Sequence, residues 1–169
     1  MRLFHLFVIL IMSCAVYSQQ MEIGLFHTKK FSRVAIVPVA GAYELYGDTA
    51  FLRTINQGEA ITIIVSGNFV GFESRENVII KFSELKLIPK VNNASLKYTI
   101  TGVKSRMYND GAIFKVHNSR LKITNSVTMN NYLSGVIESE GGGGKHIEYY
   151  KVQALMSRTY ALKNLKRHE

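Results

Sequence analysis

Alternating apolar and polar residues recur through the first three quarters of the chain. Leu96, Tyr98 and Ile100 alternate with polar residues, and Leu121 and Ile123 repeat the pattern. A period of two indicates half-buried strands, with one face towards the core and the other towards water. Five more runs rich in Val, Ile, Phe and Tyr are predicted to be strands: Glu22 to Phe26, Arg33 to Val39, Tyr43 to Tyr46, Ala60 to Val65 and Asn77 to Phe82.

Turn-forming residues separate these runs. Asn109-Asp110-Gly111 is a strong turn signal between two strands. The other predicted turns lie at Gly41, Gly47-Asp48, Gly58, Gly67-Asn68 and Pro89. Regularly spaced strands and turns of this kind predict a β-rich region.

The pattern changes after Asn130. The segment from Tyr132 to Glu140 resembles a strand, which would place Glu138 and Glu140 on one face. The residues from Glu138 to Lys145 are predicted to form a loop, because they include four glycines. Residues Ile147 to about Lys166 have the composition of a helix and lack Gly and Pro. The predicted fold class is α+β, with a β-rich N-terminal region followed by this helix.

The first eighteen residues have the composition of a secretory signal peptide. A positive start is followed by an apolar run from Leu3 to Met12, and Val16 and Ser18 suit cleavage before Gln19. The protein is therefore expected to be exported and to be periplasmic or associated with the cell envelope. Lipid anchoring at Cys14, the single cysteine, is the minor alternative.

The formal net charge of +9 indicates which classes of partner an exported protein could bind. A basic protein can meet an anionic wall polymer, a membrane surface or nucleic acid. No basic stripe interleaved with aromatic residues is visible, so nucleic acid is not an expected partner.

Several familiar catalytic designs are absent from the sequence. Gly144-Lys145 is followed by His146 and not by Ser or Thr, so the glycine run does not match a phosphate-binding loop. The five histidines are scattered, and no HExxH or GxSxG motif occurs. Neither a metal nor another cofactor is therefore predicted.

The carboxylates remain as candidate catalytic residues. Glu148 suits the first turn of the helix and lies three residues from Lys151.

Two segments near the C-terminus resemble a known family. Residues Tyr132 to Glu140 read YLSGVIESE, and Glu148, Lys151-Val152-Gln153-Ala154 and Arg158-Thr159-Tyr160-Ala161-Leu162 follow. This pattern resembles the SpoIID/LytB family, whose motif runs approximately YLxGVVxxE and then EALKAQAVAARTYAL. The spacing from Glu140 to Glu148 is also similar. Residues 19–169 are accordingly predicted to be a SpoIID/LytB-like domain that is incomplete at its C-terminus.

The resemblance implies a function and a set of site residues. The family includes lytic transglycosylases that cut the glycan strands of peptidoglycan, and its catalytic glutamate corresponds to Glu140. Lys151, Gln153, Arg158 and Tyr160 correspond to residues of the motif helix that bind substrate or support the cleft. The expected partners are peptidoglycan glycan strands.

Two other functions are weighed against this one. The first is a non-catalytic wall-binding protein that recruits or stimulates another cell-wall hydrolase, since the family also includes modifiers of wall amidases. The second is a β-rich adhesion or structural module without affinity for glycans.

Overall fold

The computed structural model describes residues 20–73 and 79–164. The predicted signal peptide, its cleavage site, Cys14 and the end of the predicted helix beyond Asn164 lie outside these residues. In the described part of the chain, twelve strands are followed by two helices, so the predicted α+β class is confirmed. Neither of these two helices is long and apolar enough to cross a membrane.

The helices are α1 (Met129–Gly141) and α2 (Ile147–Asn164). The strands are β1 (Gln20–Leu25), β2 (Arg33–Ala40), β3 (Tyr43–Gly47), β4 (Ala50–Ile55), β5 (Ile61–Ser66), β6 (Phe69–Glu73), β7 (Ile79–Phe82), β8 (Glu84–Pro89), β9 (Ser95–Ile100), β10 (Val103–Asn109), β11 (Gly111–His117) and β12 (Arg120–Thr128).

The strands form two antiparallel sheets. One has the order β1-β12-β11-β8-β3-β4, and the other has the order β10-β9-β2-β5-β6-β7. Buried side chains of both sheets form one core, in which Leu45 and Phe114 of the first sheet join Ile36 and Tyr98 of the second. The β-rich region is therefore a sandwich of two sheets.

The alternating patterns correctly predict which residues are buried. Leu96, Tyr98 and Ile100 of β9 are buried, and so are Leu121 and Ile123 of β12. The five other predicted runs correspond to β1, β2, β3, β5 and β7, and the structure adds β4, β6 and β8. It also adds β10 and β11, the two strands on either side of the predicted Asn109-Asp110-Gly111 turn.

Most predicted turns are present, and one is wrong. Gly41, Gly58 and Gly67 have positive φ angles of 72°, 80° and 65°, as tight turns require. Pro89 is instead the last residue of β8, opposite Tyr43 of β3. A proline is tolerated at this end position because few ladder hydrogen bonds depend on its missing N–H.

The predicted strand-like segment from Tyr132 to Glu140 is also wrong, because it is part of α1. Successive residues of a helix are about 100° apart, so Glu138 and Glu140 point in directions about 200° apart and do not share a face. The helix continues to Gly141, and the glycine loop is shorter than predicted. Capping and packing override the strand-like pattern here.

A small second core joins the helices to the sandwich. Met21 of β1, Val127 of β12 and Met129 of α1 are buried together, and Leu133 and Ala161 pack against them. The two helices therefore form a hairpin beside the β1–β12 edge of the first sheet, and this contact determines where the hairpin lies.

Candidate active site

The start of α1 is fixed by a buried carboxylate. Asp110, which is 7% exposed, accepts hydrogen bonds from the backbone N of Thr128 and from Nδ2 of Asn131, both at 2.8 Å. Thr128 caps the helix, since its side chain accepts a bond from the backbone N of Asn131 at 3.3 Å. A negative charge at this end also interacts favourably with the helix dipole. Asp110 therefore sets the position of α1 on the sandwich.

Asn125 holds the turn that carries Asp110. Its Nδ2 donates to the carbonyl oxygens of Asn109 and Gly111, both at 2.8 Å. Asp110 itself has a φ angle of 65°, a conformation that Asp and Asn tolerate better than most residues. Asn125 was not among the residues predicted from the sequence. The signal was a polar residue on the buried face of β12, in line with Leu121, Ile123 and Val127.

The two helices meet along a partly polar seam. Tyr132, Val136 and Glu140 are four residues apart and lie near one face of α1. Gln153 and Tyr160 lie seven residues apart on one face of α2. The antiparallel hairpin places Glu140 and Gln153 near the connecting loop, and Tyr132 and Tyr160 further along the seam.

Glu140 is directly bonded across this seam. Nε2 of Gln153 donates a hydrogen bond to Oε2 of Glu140. Glu140 is exposed, whereas Gln153 is half-buried. The carboxylate of Glu140 is therefore oriented by the second helix while remaining open to a ligand from solvent.

Tyr132 lies in the same environment. Burial raises the pKa of its hydroxyl, and the nearby charges of Glu140 and Tyr160 raise it further. The raised pKa keeps the Tyr132 hydroxyl protonated, and so able to donate a hydrogen bond, to a higher pH than an ordinary tyrosine.

Tyr150 closes the glycine loop after α1. Its hydroxyl donates to the carbonyl oxygen of Gly142 at 2.9 Å and accepts from the backbone N of Lys145 at 3.2 Å. Its ring lies so close to Gly141 that a Cβ atom there would come within 2.9 Å of Tyr150 Cε1. Gly142 and Gly144 have positive φ angles of 58° and 79°. The glycines thus permit a tight connection beneath Glu140.

The first turn of α2 is built as predicted. Glu148 lies in this turn, and Nζ of Lys151 is 2.8 Å from its Oε1. His146 precedes the helix, where its Nδ1 accepts a bond from the backbone N of Glu148 at 3.4 Å and its carbonyl oxygen accepts one from the backbone N of Tyr149 at 3.0 Å.

The structure brings together only some of the predicted site residues. Glu140, Gln153 and Tyr160 line the seam between the helices. Lys151 and Arg158 are exposed and lie about 200° and 140° around α2 from Gln153, so they do not face this seam. Within residues 20–73 and 79–164, no group of three His, Cys, Asp or Glu side chains is placed to hold a metal ion.

Fold and site together define a β-sandwich protein that presents an exposed glutamate on a C-terminal helical hairpin. The model of the SpoIID family, described as Stage II sporulation protein, matches residues 117–169. This match confirms the resemblance to the SpoIID/LytB-like family and indicates a protein related to sporulation or the cell wall. No curated protein and no solved structure matches the chain. The matched segment contains β12, both helices and the Glu140–Gln153 pair.

Proposed function

We propose that this protein is exported and cleaves the glycan strands of peptidoglycan as a lytic transglycosylase, with Glu140 as its catalytic acid and base. The observation that carries this proposal is the Glu140 carboxylate, which is exposed to solvent, is oriented by Gln153 and lies in the segment that matches the SpoIID family.

A single carboxylate is sufficient for this reaction. Protonated Glu140 gives its proton to the glycosidic oxygen as the bond to the anomeric carbon breaks. The resulting carboxylate then removes the proton from the C6 hydroxyl of the muramic acid residue, and that oxygen bonds to the anomeric carbon. The product is a 1,6-anhydro sugar, and no water is consumed.

The surrounding acidic residues favour this reaction over ordinary hydrolysis. Most glycosidases use two carboxyl groups that flank the scissile bond. Glu138 points away from Glu140 on α1, and Glu148 is paired with Lys151. Neither Glu138 nor Glu148 is placed as a second catalytic carboxyl group beside Glu140. A reaction in which the substrate supplies its own hydroxyl nucleophile needs only one catalytic carboxyl group.

The decisive test is the replacement Glu140→Gln, assayed on purified glycan strands with mass spectrometry of the products. We expect the wild-type protein to release anhydro-muramic products and Glu140→Gln to lose at least about two orders of magnitude in rate, because acid–base catalysis contributes roughly that much or more. Glu138→Gln is the matched control and should retain the wild-type rate. Release of anhydro products by Glu140→Gln at the normal rate would contradict the proposal.

Export is a separate part of the proposal and rests on residues 1–18. N-terminal sequencing of protein recovered from the cell envelope or medium should find a chain that begins at Gln19. A lipid-modified chain that begins at Cys14 would instead support the anchored alternative.

The exposed surface of α2 favours a second candidate function. Val152, Leu155 and Met156 are 56%, 67% and 63% exposed, and exposed apolar groups of this kind are typical of protein contact sites. A non-catalytic wall-binding protein that recruits another hydrolase would use such a surface. It would bind glycan strands without releasing anhydro product, and it would accelerate the partner hydrolase in a mixed assay.

A further inference from the structure

Three chain connections meet at the end of the sandwich where β12 begins. The loop 26–32 joins β1 to β2 there, beside the β11–β12 turn and the β9–β10 turn. The backbone N of Leu121 donates to the carbonyl oxygen of Phe31 at 3.2 Å, which holds the loop against the β11–β12 turn. The Phe26 ring lies 5.9 Å from the Tyr108 ring of β10. The exposed side chains of these three connections therefore share one surface.

This surface is strongly basic. Its six cationic side chains are all exposed: Lys29, Lys30, Lys104, Arg106, Arg120 and Lys122. Among residues 20–73 and 79–164, none of the six has an ion-pair partner. The sequence favours this excess of positive charge, because no Asp or Glu occurs in residues 23–43, 85–109 and 111–137. The six side chains are together called the basic end.

The strand register increases the repulsion at the basic end. Lys122 of β12 lies directly opposite Lys115 of β11, and like charges in this arrangement are destabilising. Glu84 contacts Lys115 at 2.6 Å from the next strand, β8, so Lys122 lies on the other side of Lys115 from this carboxylate. Arg120 is two residues from Lys122 and projects from the same face of β12. A bound anion would relieve the repulsion among these cations.

The loop at the basic end does not present its aromatic side chains to solvent. Phe26 and Phe31 are half-buried, and their rings meet edge to face at 6.1 Å against the core. The exposed residues between them are His27, Thr28, Lys29 and Lys30. Segments that bind membrane surfaces combine basic residues with exposed aromatic or large apolar ones. The basic end therefore suits a solvated polyanion better than a bilayer.

We propose that the basic end binds a linear phosphodiester polymer of the cell envelope. Lysine and arginine side chains are common ligands for phosphate oxygens. Cations on a loop, on a strand face and on the neighbouring sheet engage several phosphates of one chain at once, and such linked contacts strengthen one another.

This binding relies on export but not on catalysis by Glu140. Arg120 begins β12 and Thr128 ends it, so the basic end and the start of α1 lie about 26 Å apart along the strand. The polymer thus holds the protein at the wall through the sandwich and leaves the helical hairpin free for another ligand.

The test measures binding of the full chain to poly(glycerol phosphate) by calorimetry. We expect the affinity to fall as the salt concentration rises, because salt screens exposed charges. Lys29→Gln with Lys122→Gln should weaken binding about tenfold or more. Lys81→Gln with Lys97→Gln removes the same charge from exposed lysines outside the basic end and should change the affinity by less than about twofold. Equal losses in the two double variants would overturn the proposal, since binding would then follow net charge alone.

Two other ligands test the chemistry of the polymer. Vesicles containing phosphatidylglycerol present phosphodiester groups on a bilayer, and polyglutamate presents carboxylates on a solvated chain. Both should bind more weakly than poly(glycerol phosphate) at the same concentration of charged groups. Tighter binding to either of them would overturn the proposal.

A second measurement locates the polymer without altering the protein. In nitrogen-labelled protein, poly(glycerol phosphate) should shift the amide signals of residues 27–32 and 117–122 and leave those of Glu140 and Gln153 unchanged. Shifts confined to other residues would refute the proposal even if a double variant failed to fold. Catalysis is judged separately, because both double variants should release anhydro product from purified glycan strands at the wild-type rate. A wild-type protein that binds the polymer but releases no anhydro product would contradict the proposed function alone.

Discussion

Gln153 of α2 donates a hydrogen bond to the carboxylate of Glu140 at the end of α1. This bond joins the two helices near their connecting loop and limits the rotamers available to the glutamate. The donor lies on a half-buried helix face, so its own position is restricted by packing. Gln153 is therefore a positioning residue for the proposed acid and base.

Replacing Gln153 with Ala should lower the rate of anhydro-product release by roughly tenfold to a hundredfold, because small displacements of a catalytic group are costly. The melting temperature should change little, since the bond lies near the surface. Kinetic assays and thermal melts check the two expectations. Leu155→Ala, on the opposite side of α2, is the control and should retain the wild-type rate on purified strands. An unchanged rate for Gln153→Ala would show that the bond does not position Glu140.

Replacing Asp110 with Ala should reduce the free energy of unfolding by about 1–3 kcal/mol, because the backbone N of Thr128 and the amide of Asn131 would lose a buried acceptor. Ala also tolerates the φ angle of 65° at this position less well than Asp does. Chemical denaturation measures the change. Asn130→Ala, an exposed substitution next to α1's first residue, should cost less than about 0.5 kcal/mol. Equal effects of the two substitutions would contradict the anchoring role of Asp110.

Replacing Gly141 with Ala should destabilise the hairpin by about 1–3 kcal/mol, because the added Cβ would come within 2.9 Å of the Tyr150 ring and force it to shift. Gly143→Ala is a matched control in the same loop, where a Cβ would meet nothing within 4 Å. Thermal melts of both variants give the comparison. If Gly141→Ala were as stable as Gly143→Ala, the close contact with Tyr150 would not restrict this position.

The surroundings of the Glu84 carboxyl predict that it contributes to stability in a pH-dependent way. Burial alone would raise the pKa of its carboxyl, but hydrogen bonds and charges from Lys115 and Lys86, at 2.6 Å and 2.7 Å, lower it overall. A folded-state pKa below the unfolded value stabilises the protein above the unfolded pKa, and this stabilisation is lost as the pH falls through the folded pKa.

Glu84→Gln should therefore cost about 1 kcal/mol at pH 7, and the cost should disappear as the pH falls below the ordinary glutamate value of 4.5. Denaturation curves of the wild type and the variant, recorded at pH 7 and at pH 3, measure the difference in their free energies of unfolding at each pH. A difference in stability that stays constant across this range would rule out the charge as its source.

Local sequence patterns determined the strands and the second helix. The alternation in β9 and β12 reports directly which residues face the core, because a strand places successive side chains on opposite sides. The composition of Ile147 to Asn164 favours a helix throughout, and α2 has the predicted start. The motif residues from Tyr132 to Leu162 were also sufficient for the family resemblance, and Glu140 could be selected on that ground.

The tertiary structure alone decided the state of the segment before the glycines. Residues Tyr132 to Glu140 have a pattern compatible with a strand, but Asp110 fixes the start of a helix there and the small core around Met21 and Val127 covers it. Both contacts come from residues that are distant in the sequence. The local pattern of apolar and polar residues therefore cannot predict them. The Gln153–Glu140 bond arises in the same way, since it depends on how the hairpin packs and not on any local preference.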